Sequence, residues 1–139
     1  MKYDKDVLLN YIEKNEGYKS RVYKDHLGHE TIGIGFKLNE LDLSKNESLS
    51  ILNRKINQLD IILHQKYKWW KNANQSVKIV VFDMCYQMGP YGFSKFKKMI
   101  GHIENKDYKN ASKELLDSKY AKEQTPNRAK RNSKILEEA

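Results

Sequence analysis

The sequence lacks most features that reveal a metal, a cofactor or a disulfide scaffold. It has a single cysteine, Cys85, so no internal disulfide can form, and the apolar run around it indicates a buried, unreactive thiol. The four histidines are scattered and none pairs at the spacing of a zinc site. No glycine-rich phosphate-binding motif occurs. We therefore predict no metal, no cofactor and no nucleotide site.

A long apolar run is also missing. The N-terminal segment MKYDKDVLLNYIEKNEG has no apolar stretch long enough for a signal peptide or a membrane anchor. We expect the protein to begin in the cytoplasm of its host, without stable membrane insertion. If its target lies outside the cytoplasm, another protein must let it through.

Length and charge set broad limits on the fold and its partners. The 139 residues, 39% of them hydrophobic, suit one domain or a small two-lobed one. The net charge of +8 and a pI near 9.4 favour polyanions such as nucleic acid or the bacterial cell wall. The lysines form no single stripe interleaved with aromatics, and the basic residues near the C-terminus are typical of a solvated helix face. This pattern weakens the nucleic-acid interpretation.

The opening segment predicts a helix that begins after Asp4 and ends at Gly17. Leu8 and Ile12 place an apolar stripe on one face, and Glu16 continues that stripe by the same four-residue step. We expect Glu16 to be partly desolvated as a result, which favours the neutral carboxylic acid.

A β-hairpin is predicted next. Arg21–Lys24 is rich in strand formers, Asp25–Gly28 is typical of a turn, and a second strand follows. One face of the second strand is apolar (Ile32, Ile34, Phe36 and Leu38), and the other is almost bare (Thr31, Gly33 and Gly35). A bare β face would let a bulky ligand lie close to the backbone.

The remainder is predicted to be helical. A long amphipathic helix runs from about Ser48 to about Tyr67, and a strongly apolar helix from Val77 to Met88 is capped by Ser76 and stopped by Gly89. Shorter helices follow, and a basic one comes after Pro126. One hairpin with many helices indicates an α+β fold dominated by α.

Two acids and a hydroxyl carry the chemistry suggested by the sequence. Glu16 is the candidate general acid, Asp25 the candidate general base and Thr31 a candidate holder of water. Each has an ordinary alternative: a helix-terminal glutamate, a turn aspartate that caps its own backbone, and a β-branched residue in a strand. Two carboxylates held apart on a helix and a hairpin are what hydrolysis of a glycosidic bond requires.

Three tracts resemble the T-even phage lysozyme family, glycoside hydrolase family 24. The first, EG(x)7DxxGxxTIGIG, runs from Glu16 to Gly35. The second, MCYQMG (84–89), is similar to the family's central buried helix, and the third, QTPNRAKR (124–131), is similar to a tract near the end of such enzymes. The resemblance extends in order over nearly the whole chain.

The resemblance implies an inverting muramidase. The bond cleaved would be the β-1,4 link between N-acetylmuramic acid and N-acetylglucosamine, with Glu16 as acid, Asp25 as partner carboxylate and Thr31 placing the water. The carboxyls of inverting enzymes lie roughly 6.5–9.5 Å apart. Substrate contacts are implied for four further residues, with the arginine close to the acid: Gly35, Tyr86, Gln87 and Arg128.

The same resemblance implies two lobes within a single domain of residues 1–139. A small lobe with the hairpin (about 13–65) would be joined by the long helix to a helical lobe (1–12 plus 66–139), with the cleft between them. The chain departs from the family pattern at Phe36, where relatives have a histidine, and at Met99 and Glu114, where small polar sugar-binding residues are expected. We assign no substrate contact to the last two.

Partners and rival functions follow from this interpretation. We expect a monomeric endolysin that acts on peptidoglycan, without nucleic acid, and reaches the periplasmic wall of the host through a holin. One alternative is a lytic transglycosylase, which needs only the acid and forms a 1,6-anhydro product. A second is a basic module that binds the wall or nucleic acid without turnover.

Overall fold

The computed structural model describes residues 2–139 and shows an α+β fold that is mainly helical, with a small antiparallel sheet near the N-terminus. This confirms the predicted fold class. The elements are α1 (Lys5–Glu16), β1 (Lys19–Lys24), β2 (Glu30–Gly33), β3 (Phe36–Lys37), α2 (Lys45–Lys66), α3 (Gln75–Ser94), α4 (Lys97–Glu104), α5 (Tyr108–Leu116) and α6 (Pro126–Glu137). Trp70–Asn72 adds a 3₁₀ turn and Tyr120–Gln124 a π turn. Within residues 2–139, no helix is both long and apolar enough to cross a bilayer.

Contacts within the chain define two compact units, Met1–Ser48 and Leu49–Ala139, with the boundary inside α2. The division expected from the sequence, 13–65 against 1–12 plus 66–139, assigns most of α1 and most of α2 differently. The expected division into two lobes stays a prediction. Each unit is described separately below.

Helix α1 starts and ends where its local signals predict. The Asp4 carboxylate accepts hydrogen bonds from the N–H groups of Asp6 and Val7, at 3.0 and 3.2 Å, which satisfies two donors of the first turn. Gly17 ends the helix with φ +75°, and its N–H donates to the Glu13 carbonyl at 2.7 Å. No residue of α1 is buried.

The sheet differs from the predicted hairpin. Its strand order is β1-β2-β3, with Thr31 of the central strand opposite Tyr23 on one side and Lys37 on the other. The single long second strand was therefore wrong, because the chain reverses at Ile34–Gly35 and Phe36 begins a third strand. Gly33 and Gly35 both have φ +69°, a left-handed conformation that glycine adopts without steric cost. The glycines make a turn instead of a bare strand face.

The unit Leu49–Ala139 is built around a continuous apolar core. Side chains from α2 through α6 bury one another completely, and the largest are Trp70, Phe93, Leu63, Met84 and Met99. The Trp70 indole N–H donates to the Asp60 carboxylate at 2.8 Å, so its one polar atom is satisfied. Cys85 is buried in this core, which raises the pKa of its thiol to about 12 and confirms the predicted unreactive cysteine.

Helix α3 corrects one predicted boundary and confirms another. Asn74, not Ser76, is the cap, since its side-chain oxygen accepts from the Val77 N–H at 2.9 Å. The predicted stop at Gly89 is a kink, where φ +80° and ψ 160° break the helix, and Pro90 starts a further helical stretch that reaches Ser94.

Candidate functional site

Glu16 is the last residue of α1, and its carboxyl group lies against the turn between β2 and β3. A Cβ atom at Gly35 would stand 2.5 Å from Glu16 Oε2 and 2.8 Å from its Cδ. Real Cβ atoms essentially never come this close to another heavy atom, so a side chain at position 35 would force the flexible end of Glu16 to move. Glycine at position 35 therefore lets the Glu16 carboxyl group lie against this turn of the sheet.

The expected desolvation of Glu16 is wrong. The residue is exposed, and the apolar stripe that it continues is exposed too, with Leu8 at 41% and Ile12 at 44%. The physical reason is size, because a unit of a helix and three short strands has little surface with which to cover a helix face. Helical periodicity shows which side chains share a face, but it does not show what packs on that face.

Asp25 divides its two carboxylate oxygens between different tasks. Oδ1 accepts hydrogen bonds from the N–H groups of Leu27, at 3.0 Å, and His29, at 2.8 Å. Oδ2 accepts no main-chain hydrogen bond and faces His29 Nδ1 at 3.5 Å. The alternative interpretation, a turn aspartate that caps its own backbone, therefore accounts for Oδ1 only. Oδ2 has no main-chain donor and is available to accept another hydrogen bond.

The surroundings of Asp25 keep it ionised. The His29 N–H is the main cause that lowers the pKa of Asp25 below its ordinary value, and burial opposes it. The Leu27 N–H and the nearby imidazoles of His29 and His26 lower that pKa further. Asp25 is therefore a carboxylate at neutral pH and can only accept a proton.

Thr31 is the only buried residue among residues 2–48, at 2% exposure. Its hydroxyl donates to the His29 carbonyl at 2.9 Å, and that carbonyl also accepts from the Asp25 N–H at 2.9 Å. Because a hydroxyl has one proton, Thr31 can meet a water only as an acceptor. The shared carbonyl links the two candidate residues through a single peptide group.

His29 was not singled out from the sequence, although it connects Asp25 to Thr31. Its N–H, carbonyl and imidazole each contact one or both of these residues. The available signal was position: a polar ring four residues after the turn aspartate and two before the threonine. Its role depends on the turn geometry, which spacing alone does not fix.

The unit Leu49–Ala139 holds the other predicted residues, and it places Arg128 in an ion pair. Arg128 donates from Nε to Asp83 Oδ2 at 2.8 Å and from Nη2 to Asp83 Oδ1 at 2.5 Å. Asn132 Nδ2 donates to the same carboxylate at 2.8 Å. The hydrogen bond from Arg128 is the main cause that lowers the pKa of Asp83, and the pair raises the pKa of Arg128. Its predicted proximity to the acid stays a prediction.

Gln87 and Tyr86 lie on α3 one turn beyond Asp83, and both are exposed. Tyr120 donates its hydroxyl to Gln87 Oε1 at 3.1 Å, and Asn132 Nδ2 approaches the Tyr120 oxygen at 3.5 Å. These bonds leave the Gln87 NH₂ group without a partner in this network. The sequence pointed to Gln87 but missed Asp83 and Tyr120, whose partners lie 45 and 33 residues away in the chain.

An open pocket of about 700 Å³ lies beside this network within the same unit. Its wall combines apolar side chains with charged ones and includes Met88, Phe96, Met99, Glu114 and Tyr120. Met99 and Glu114, two of the three departures from the family pattern, therefore line one cavity. Among residues 2–139, no group of three or more His, Cys, Asp or Glu side chains could hold a metal ion.

Comparison with known proteins gives a consistent result. The family model for phage lysozyme matches residues 13–134. The chain is similar to "Probable T4-type lysozyme 2" of Dictyostelium discoideum, at 29% identity over an alignment that covers 94% of this chain and 93% of that protein. "Probable T4-type lysozyme 1" of the same organism is 26% identical with the same coverage. The "Pre-baseplate central spike protein Gp5" of Enterobacteria phage T4 is 27% identical over 93% of this chain, which corresponds to only 27% of that protein.

Proposed function

Because the chain belongs to the phage lysozyme family, we propose that it hydrolyses the β-1,4 bond between N-acetylmuramic acid and N-acetylglucosamine in bacterial peptidoglycan. Family membership confirms the resemblance found in the sequence and supports a lysozyme-type glycoside hydrolase that acts on the cell wall. The particular bond, the stereochemistry and the residue roles are the proposal.

The observation that carries the proposal is that the two carboxylate oxygens of Asp25 have different partners. A general base needs a fixed position and a free lone pair, and Oδ1 supplies the first through two N–H donors while Oδ2 supplies the second. Glu16, against Gly35 on the same unit, gives its proton to the leaving sugar oxygen. Water gives a proton to Asp25 Oδ2 and its oxygen attacks the anomeric carbon, so one bond to that carbon breaks and one forms with inversion.

Thr31 completes the proposed water site. Its hydroxyl proton is donated to His29, so an oxygen lone pair is left to accept a hydrogen from the attacking water. Sugar contacts of Gly35, Tyr86, Gln87 and Arg128 remain predictions of the family pattern. Release to the wall through a holin, host lysis, a monomeric state and the lack of a nucleic-acid partner also remain predictions.

The decisive experiment compares Glu16→Gln with Glu13→Gln, a neighbouring exposed glutamate on the same helix. Loss of a catalytic acid costs about 10²–10⁴-fold in turnover, so Glu16→Gln should abolish the clearing of peptidoglycan suspensions and Glu13→Gln should not. Circular dichroism checks that both variants fold. Near-normal clearing by Glu16→Gln would refute the assignment of the acid.

Mass spectrometry of the released fragments separates the proposal from its alternatives. Hydrolysis gives a reducing N-acetylmuramic acid end that carries ¹⁸O when the reaction is run in H₂¹⁸O. A 1,6-anhydro end without the label would identify a transglycosylase. Wall binding without any fragment would identify a non-catalytic module.

A further inference from the structure

We propose that His29 is a positioning residue for Asp25: its neutral imidazole leaves Oδ2 accessible to water, and its protonated form engages Oδ2 and withdraws it. The inference rests on the proposed function, since it assigns Oδ2 the role of accepting a proton from water. The family motif EG(x)7DxxGxxTIGIG leaves position 29 unspecified, so the motif does not point to this residue.

Hydrogen bonds hold the main chain of His29 next to the Asp25 carboxylate, and its imidazole lies beside Oδ2. The His29 N–H is bonded to Asp25 Oδ1 at 2.8 Å, and the His29 carbonyl accepts from both the Asp25 N–H and the Thr31 hydroxyl at 2.9 Å. Because these hydrogen bonds hold the main chain of His29, the position of its imidazole depends only on the side-chain torsions. In the observed rotamer Nδ1 lies 3.5 Å from Oδ2, close enough for an ion pair and longer than an ordinary hydrogen bond.

The charge on the imidazole decides the strength of this contact. A carboxylate oxygen only accepts, so Nδ1 must carry a proton for the contact to be attractive, and a neutral ring at 3.5 Å attracts it weakly. A full positive charge turns the contact into an ion pair, which makes Oδ2 a poorer proton acceptor and places a cation beside an oxocarbenium-like transition state. Imidazoles gain this charge as the pH falls through about 6.5.

A second histidine near Asp25, His26, provides a control for the role of His29. The charged groups whose fields reach Asp25 within residues 2–139 are His29 and His26, and both lower the pKa of the carboxyl. His26 belongs to the same turn but makes no ion-pair contact with Oδ2. It therefore shares the charge and the location of His29 without the contact.

The size of the effect follows from exposure. The His29 side chain is 47% exposed and that of Asp25 is 17% exposed, so water screens part of the attraction. Exposed pairs of this kind change an equilibrium by about 1.4-fold to fivefold. We expect a loss of that size in kcat between pH 7.5 and pH 5.5, with little change in KM, because the contact acts on the base and not on substrate binding.

The test measures kcat and KM on soluble peptidoglycan fragments from pH 5 to 8 at constant ionic strength. The full chain is compared with His29→Gln and His29→Tyr, two uncharged replacements of different size, and with His26→Gln. The inflection in kcat below neutral pH should disappear in both His29 variants and persist in His26→Gln. An unchanged inflection in a folded His29 variant would overturn the proposal.

A second measurement does not depend on activity. The ¹³C shift of the Asp25 carboxyl carbon, followed by NMR during a pH titration, should show a step in the imidazole range in the wild type and in His26→Gln, but not in His29→Gln. Hydrolysis without this step would overturn the role of His29 and leave the proposed function standing. A step without any hydrolysis would overturn the proposed function, and the catalytic role of His29 with it, while supporting the contact itself.

Discussion

Each of the two units of this protein is stabilised internally by a different kind of interaction. Among residues 2–48 only Thr31 is buried, whereas Leu49–Ala139 encloses aromatic and aliphatic side chains that are fully withdrawn from solvent. The small unit depends on capped turns, positive-φ glycines and sheet hydrogen bonds, and the large one on hydrophobic burial. The proposed acid, base and water holder all belong to the small unit, where main-chain hydrogen bonds position side chains without a core around them.

The same substitution in both units gives the largest test of this contrast. Leu63→Ala removes a fully buried side chain and should lower the free energy of unfolding by about 2–5 kcal/mol. Leu8→Ala changes a side chain that is 41% exposed, and it should cost less than about 1 kcal/mol. Urea unfolding of the two variants measures both values. Equal losses would show that the face of α1 is as well covered in solution as the core.

A glycine pair tests how the small unit holds its acid. Gly35→Ala and Gly28→Ala both force a Cβ onto a left-handed residue, at a cost of about 1–2 kcal/mol each. Only at Gly35 does the new atom collide with the Glu16 carboxyl group, while Gly28 has open space. Because misplacing a catalytic group by about 1 Å can cost up to about 10²-fold, Gly35→Ala should lose much more wall hydrolysis than Gly28→Ala. Similar activities in the two variants would contradict this role for Gly35.

The smallest effect concerns an ion pair in the large unit, and its sign can be worked out. Arg128 holds the pKa of Asp83 below its ordinary value, so the pair stabilises the fold above about pH 4, and this stability is lost as the pH falls through the lowered pKa. Both side chains are about one-third exposed, so we discount the contribution to about 1 kcal/mol.

The corresponding variant is Asp83→Asn, compared with Asp117→Asn, which breaks the more exposed pair with Lys122. Thermal unfolding should show Asp83→Asn less stable than the wild type at pH 7, with a difference that shrinks as the pH falls from 4 to 2, and no measurable change for Asp117→Asn. A difference that persists undiminished at pH 2 would mean that the carboxylate charge is not its source.

Local features of the fold were predictable because their causes are local. The Asp4 cap, the end of α1 at Gly17, the turn at Asp25–Gly28 and the break at Gly89 each arise from residues a few positions apart. The prediction of one long second strand was wrong because two glycines can form either a turn or a bare strand face. Alternation of side chains does not distinguish these two structures.

The amino-acid order by itself determined the α+β class and the family resemblance, and it singled out Glu16, Asp25 and Thr31 as candidates, since helix periodicity, caps and motif spacing are properties of neighbouring residues. Other features came from folding in three dimensions: the contact of Glu16 with Gly35, the exposure of α1, and the pairing of Arg128 with Asp83 across 45 positions. Burial and long-range pairing depend on which surfaces meet when the chain closes on itself, and no short stretch of sequence contains that information.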